Sequence, residues 1–177
     1  MPKKIIRKST WFWEDYVGAK WKNVAAANTG DGLGAYCYVQ GKNSKSKYKP
    51  KSLFYHYQVT GINANKYKID SVNFVLVIRK FNKKQNDFPT IKVFYGDNNA
   101  PYHKKPLKVV KTHTFLKNQY KLDNYTLKFT IKGLTIAQLK NVIIEVDWSR
   151  TKTTGASAIS VNRGRLELNY SSQDPKR

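Results

Sequence analysis

Residues 125–132 read YTLKFTIK, with Tyr125, Leu127, Phe129 and Ile131 on one side and Thr126, Lys128, Thr130 and Lys132 on the other. Successive side chains of a strand leave opposite faces, so a strict period of two predicts a half-buried strand with one solvated side. VIIEVDW (142–148) repeats the pattern, with Val142, Ile144, Val146 and Trp148 inward, and RLELNY (165–170) does so with Leu166, Leu168 and Tyr170. SVNFVLVIRKF (71–81) is apolar on both sides in its middle. That is the mark of a central strand covered on both faces. Further strands are expected at 34–40, 52–59, 91–96, 107–115 and 157–162.

Only LTIAQLK (134–140) reads as helical, for a turn or two. Thr135 is placed to cap it, and Leu134 and Leu139 to fasten it to the core. Turn-formers separate the strands: NTGDG (28–32), FNKKQNDFP (81–89) and GDNNAP (96–101). The pattern predicts an all-β fold: an antiparallel β-sandwich, jelly-roll-like, of eight or nine strands with one short helical turn. Leu127, Phe129, Ile144, Val146, Trp148 and Leu168 are its expected core. The expected organisation is an N-terminal basic and aromatic arm over 1–16, a single sandwich domain over 17–171, and a C-terminal tail over 172–177.

Charge changes the picture next. The 177 residues carry 33 Lys and Arg against 11 Asp and Glu, a formal net charge of +22. So large an excess repels itself and favours an acidic partner: nucleic acid, an anionic surface or an acidic protein. Lysines number 27 and arginines 6. Bidentate reading of guanine and phosphate prefers arginine, so this excess suits nonspecific attraction, or only an AT-rich genome. Its densest stretch is KNSKSKYKPK (42–51), a loop between two expected strands. Lys42, Lys45, Lys47, Lys49 and Lys51 are the candidate electrostatic contact to a partner. Cys37, alone and among apolar neighbours, is expected to be a buried structural thiol. MPKKIIRKSTWFWEDY lacks the apolar stretch of a signal peptide, and no run of about 18 apolar residues predicts a membrane span. Synthesis in a cytoplasm, without membrane insertion, is the expectation.

The search for chemistry yields no catalytic set, and the expectation is no enzyme, cofactor or metal. His56, His103 and His113 fall on separate segments without metal-ligand spacing. GDGLG (30–34) lacks the GK[ST] ending and helix of a phosphate cradle. Asn28 and Asp31, with Asp97 or Asp123, offer a thin calcium set better read as turn hydrogen bonds. Glu145 and Asp147 share the face opposite the core, where Glu167 is a further candidate. A carboxylate pair can serve a glycosidase, but pairing with Lys128, Lys132 or Arg165 is the expected role. Trp11, Phe12, Trp13, Tyr16 and Trp21 crowd the N-terminal segment, and Tyr55 and Tyr57 flank His56. Aromatics stack on sugars and bases, but core or subunit contact is the expected use here. Trp11, Phe12 and Trp13 are the candidate assembly residues of the arm.

Four stretches then occur in an order that resembles a known pattern: WKNVAAANTGDGLGAYCYV (21–39), SLFYHYQVTGINANKYKIDSVNFVLVIRK (52–80), LTIAQLKNVIIEVDWSR (134–150) and GASAISVNRGRLELNY (155–170). It is similar to the jelly-roll virion proteins of tailed viruses of bacteria and methanogenic archaea. The lysine-rich loop, and the lack of a proline before the central strand, depart from that pattern. The resemblance implies a non-enzymatic structural protein of a virus particle, in tail, baseplate or head. It would form a homo-oligomer or bind other virion proteins, and it carries no catalytic residue across. Two alternatives stay open. One is a single jelly-roll capsid protein whose arm, MPKKIIRKST, neutralises packaged nucleic acid. The other is a binding module for an anionic surface glycan, which should present exposed aromatics on one sheet or loop rim.

Overall fold

The computed structural model describes residues 2–6, 9–14, 20–29, 35–39, 51–80, 87–95, 108–110, 125–150 and 157–173. Among them ten strands pair into two antiparallel sheets. In chain order these are β1 (Lys3–Ile6), β2 (Trp11–Glu14), β3 (Ala35–Val39), β4 (Leu53–Tyr57), β5 (Tyr67–Lys80), β6 (Asp87–Tyr95), β7 (Lys108–Val110), β8 (Tyr125–Ile131), β9 (Val142–Arg150) and β10 (Ser157–Ser172). The first sheet runs β1–β10–β5–β8, with β3 also on β10; the second runs β2–β4–β9–β6–β7. Two single-turn helices, α1 (Ala26–Thr29) and α2 (Ile136–Leu139), complete the order. The protein is an all-β antiparallel sandwich, as the alternation predicts.

Alternation decides what is dry. Leu127, Phe129 and Ile131 of β8 are buried while Thr126, Lys128, Thr130 and Lys132 are exposed. Val142, Ile144 and Val146 of β9, and Leu166 and Leu168 of β10, meet them in one core with Val72, Phe74, Leu76 and Ile78 of β5. The side chain of Trp148 lies outside the described residues. β5 is central, between β10 and β8, and Val75 on its other face is also buried. Tyr55 and Tyr57 are core residues, as expected. Tyr55 meets Phe74 edge-on at 4.9 Å and donates its hydroxyl to the Ala27 carbonyl at 2.7 Å. Burial raises both tyrosine pKa values above the ordinary range. Thr135 caps α2 in a capping box with Gln138, and Leu134 and Leu139 are buried there, also as expected. α1 is a turn that four residues, AANT, could not announce by period.

The stretches 157–162 and 165–170, expected as separate strands, are one sixteen-residue strand broken by a bulge between Asn162 and Arg165. Arg163 there has φ 53°, and Gly164 follows. A Cβ on Gly164 would stand 2.4 Å from Cε1 of Tyr55. The missing side chain therefore lets a tyrosine of the second sheet press onto the backbone of the first.

The expected N-terminal arm is instead a strand in each sheet. Residues 3–6 pair with 166–169 of β10, and residues 11–14 pair with 53–56 of β4. An edge strand needs only one dry side, so lysines do not keep it out. Ile6 and Phe12 pack on the core, while Lys4 donates to the Thr60 carbonyl at 2.7 Å. Between the two strands, Ser9 donates its backbone N–H and its hydroxyl to Asn28 Oδ1, at 3.0 and 3.1 Å. These two strands lift the count above the eight or nine expected. The expected tail also starts too early: Ser172 still belongs to β10, and Gln173 donates its N–H to the Lys66 carbonyl at 2.8 Å.

Candidate binding face on the second sheet

The outward side chains of β2, β4, β9 and β6 form rows across the second sheet. Trp13 lies opposite Phe54, Phe54 opposite Glu145, and Glu145 opposite Lys92. The next row is Trp11, His56, Ile143 and Phe94. Beyond Glu145 on β9 comes Asp147, opposite Thr90 and bonded by the Ser52 hydroxyl at 3.3 Å. Each row crosses three inter-strand gaps of about 4.8 Å, so the face is long enough for an extended chain.

Phe54, Phe94 and Ile143 are buried on this outward side, with Trp13 packed against them as a second apolar cluster. Trp13 stacks on Phe54 with ring centroids 5.2 Å apart and planes within 3°. Trp11 leans on His56 at 4.8 Å and remains 50% exposed. Trp11 and Ile5 are the exposed large apolar residues among those described, and only Trp11 is aromatic. The Trp13 Nε1 is buried without a hydrogen-bond partner. His56 Nε2 meets Asn141 Oδ1 beneath Trp11. Burial lowers the His56 pKa below its ordinary value, the Asn141 contact opposing it, so the ring is neutral at neutral pH.

Beside the rings sits a charged group. Lys92 Nζ bonds Asp147 Oδ2 at 2.8 Å and lies 3.6 Å from Glu145 Oε2. Burial works against its ammonium, but the hydrogen bond to Asp147 and the fields of Glu145 and Asp147 outweigh it and raise the Lys92 pKa. The side chains of Glu145 and Asp147 are only 13% and 15% exposed. Both acids are thus taken up by one cross-strand ammonium, the pairing role expected of acids on a strand face.

The expected grouping of acids is therefore corrected. Glu145 and Asp147 share a face, but Glu167 lies on the other sheet, where Arg165 Nε donates to it at 3.1 Å. Arg165 was among the expected partners; Lys92 was not, because its register with β9 is set by a long-range ladder. Of the arm residues, Trp11 and Trp13 face outward, while Phe12 turns inward to Tyr55 at 4.8 Å. Of the lysine loop, Lys42, Lys45, Lys47 and Lys49 lie outside the described residues. Lys51 is half-buried, and its carbonyl accepts the Trp21 indole N–H at 2.7 Å. Asn28 serves Ser9, while Asp31, Asp97, Asp123, His103, His113, Tyr16 and the Cys37 side chain lie outside the described residues. Among the described residues no group of three or more His, Cys, Asp or Glu could hold a metal, and no helix is long and apolar enough to cross a membrane.

No family model and no curated protein matches the chain. Among solved structures it is similar to the crystal structure of a non-crystalline-cellulose-specific carbohydrate-binding module, CBM28. The identity is 14% and the TM-score 0.41, covering 84% of this chain and 87% of that one.

Proposed function

We propose that the protein is a non-catalytic binding module that takes a glycan chain on the outward face of its second sheet. The observation that carries this reading is Trp11, half-exposed on an otherwise buried aromatic floor, on the same face as the hydrogen-bonding groups of Glu145, Asp147 and Lys92. An indole face accepts the C–H face of a pyranose, and the charged groups meet its hydroxyls. The floor beneath is already buried and packed, so little side-chain freedom is lost on binding.

A virion role is the second reading. The same half-exposed Trp11 favours it, because assembly between copies would cover that ring. Affinity electrophoresis through gels containing soluble polysaccharides separates the two. The glycan reading expects at least one polymer to retard the native protein and Trp11→Ala to abolish the retardation. If no polymer retards it, while light scattering shows a closed oligomer that Trp11→Ala dissociates, the face is an assembly surface.

A further inference from the structure

We infer that the glycan taken by this face is uncharged, although the protein as a whole is strongly basic. This rests on the binding-module reading above and names the ligand class of the same site. The chain carries +22, which suggests a polyanion. Yet the row that continues from Trp13 and Phe54 runs into Glu145 and Lys92, with Asp147 one pair further along β9. Two carboxylates and one ammonium leave this contact region formally −1. Lys92 is held by both carboxylates and cannot turn to a ligand anion without leaving them. Among the described residues, Lys128 of β8 and Arg165 of β10 also face outward, but on the opposite sheet.

Contact chemistry and long-range field therefore point to different ligands. Exposed charges act over about 8–10 Å at physiological salt, so the lysine excess draws polyanions to the molecule generally. Groups within hydrogen-bond reach decide what seats on the rings. A uronate or sulfate laid across Trp11 and Trp13 towards Glu145 and Asp147 would meet like charge, with Lys92 already engaged by both carboxylates. A neutral sugar suits them: its vicinal hydroxyls donate to the carboxylate oxygens while Lys92 stays on Glu145 and Asp147. His56 is uncharged at neutral pH and adds no cation beneath Trp11.

The test runs affinity electrophoresis and isothermal titration with the full chain against four soluble polymers: a mixed-linkage β-glucan, a xylan free of uronate, polygalacturonate and dextran sulfate. The variants are Trp11→Ala, Glu145→Gln and Asp147→Asn, each checked for an unchanged melting curve. A neutral polymer is expected to bind in a Trp11-dependent way that survives 0.5 M salt, an operating value chosen to exceed physiological screening several-fold. Glu145→Gln is expected to weaken that binding about tenfold, as loss of a charged acceptor does. Retention by the anionic polymers should persist in Trp11→Ala and fade with salt, which places it elsewhere on the surface. Trp11-dependent, salt-resistant binding to polygalacturonate or dextran sulfate, strengthened by Glu145→Gln, overturns the inference while keeping the glycan reading. Absence of any Trp11-dependent binding overturns both.

Discussion

On the first sheet, the outward side chains of β8 are Thr126, Lys128 and Thr130, all exposed. On the second, the outward side chains of β4 and β9 include Phe54, His56 and Ile143, all buried. Polar groups on the first sheet pair with their neighbours. Thr130 donates to Asn73 at 2.8 Å, Asn169 to Ser71 at 2.8 Å, and Ser171 to Asp70 at 2.9 Å. On the second, rings cover one another, and among the described residues only the Trp11 ring stands half in water. Both sheets give an inner face to the common core, so stability alone does not require the second apolar cluster. An aromatic floor on the solvent side is what a surface needs in order to hold a ligand in fixed geometry.

The sharpest way to break this comparison is Phe54→Ala. Its ring is as dry as a core ring although it faces outward, so removal should cost about 3–5 kcal/mol. A loss below about 1 kcal/mol in urea unfolding would show that the second sheet's outer face is no more buried than the first's. Gly164→Ala tests where the two sheets touch. The added methyl meets the fixed ring of Tyr55, and overpacking of that kind costs about 1–3 kcal/mol. An unchanged midpoint would mean that Tyr55 does not press on β10.

His56 supplies a smaller effect with a sign. Its folded pKa is lowered, chiefly by burial, so the unfolded chain binds more protons as pH falls below about 6.5. Its stabilising contribution is complete above that pH and declines below it, by at most about 1.4 kcal/mol per pH unit. Unfolding at pH 7.5 and pH 5.5 should show His56→Gln losing less stability on acidification than the native chain. Equal losses would place the ring in water. The smallest effect belongs to the first sheet: Lys128→Thr with Lys132→Thr should move stability by less than about 0.5 kcal/mol. A larger change would make that face structural too.

The fold was legible wherever one side of a strand is wet. YTLKFTIK and RLELNY announce their cores because lysine, threonine and glutamate mark the other side. The candidate face was not legible, for the same reason in reverse. LFYHY on β4 is buried at all five positions, so it shows no alternation from which to learn which rings face out. Trp11 and Trp13 read as an arm because lysines precede them. Their place beside Phe54 and His56 is fixed by a ladder spanning more than forty residues. Likewise Glu145 and Glu167 have the same local pattern, and only sheet membership separates them. Register between distant strands carries that information, and a single strand's pattern does not.

The pairing of β1 with β10 has a consequence for how the molecule is made. Among the described residues the first strand finds its ladder only in the last one, and Tyr170 donates its N–H to the Pro2 carbonyl at 3.2 Å. During synthesis the N-terminal strands leave the ribosome long before β10 exists, and β2 waits for β4. Contacts so distant along the chain make folding slow, because loop closure precedes any gain from pairing. An unpaired strand held open that long is a template for misassembly. Lys3, Lys4, Arg7 and Lys8 put like charge on the segments that wait longest for their partners, and like charge disfavours pairing between copies.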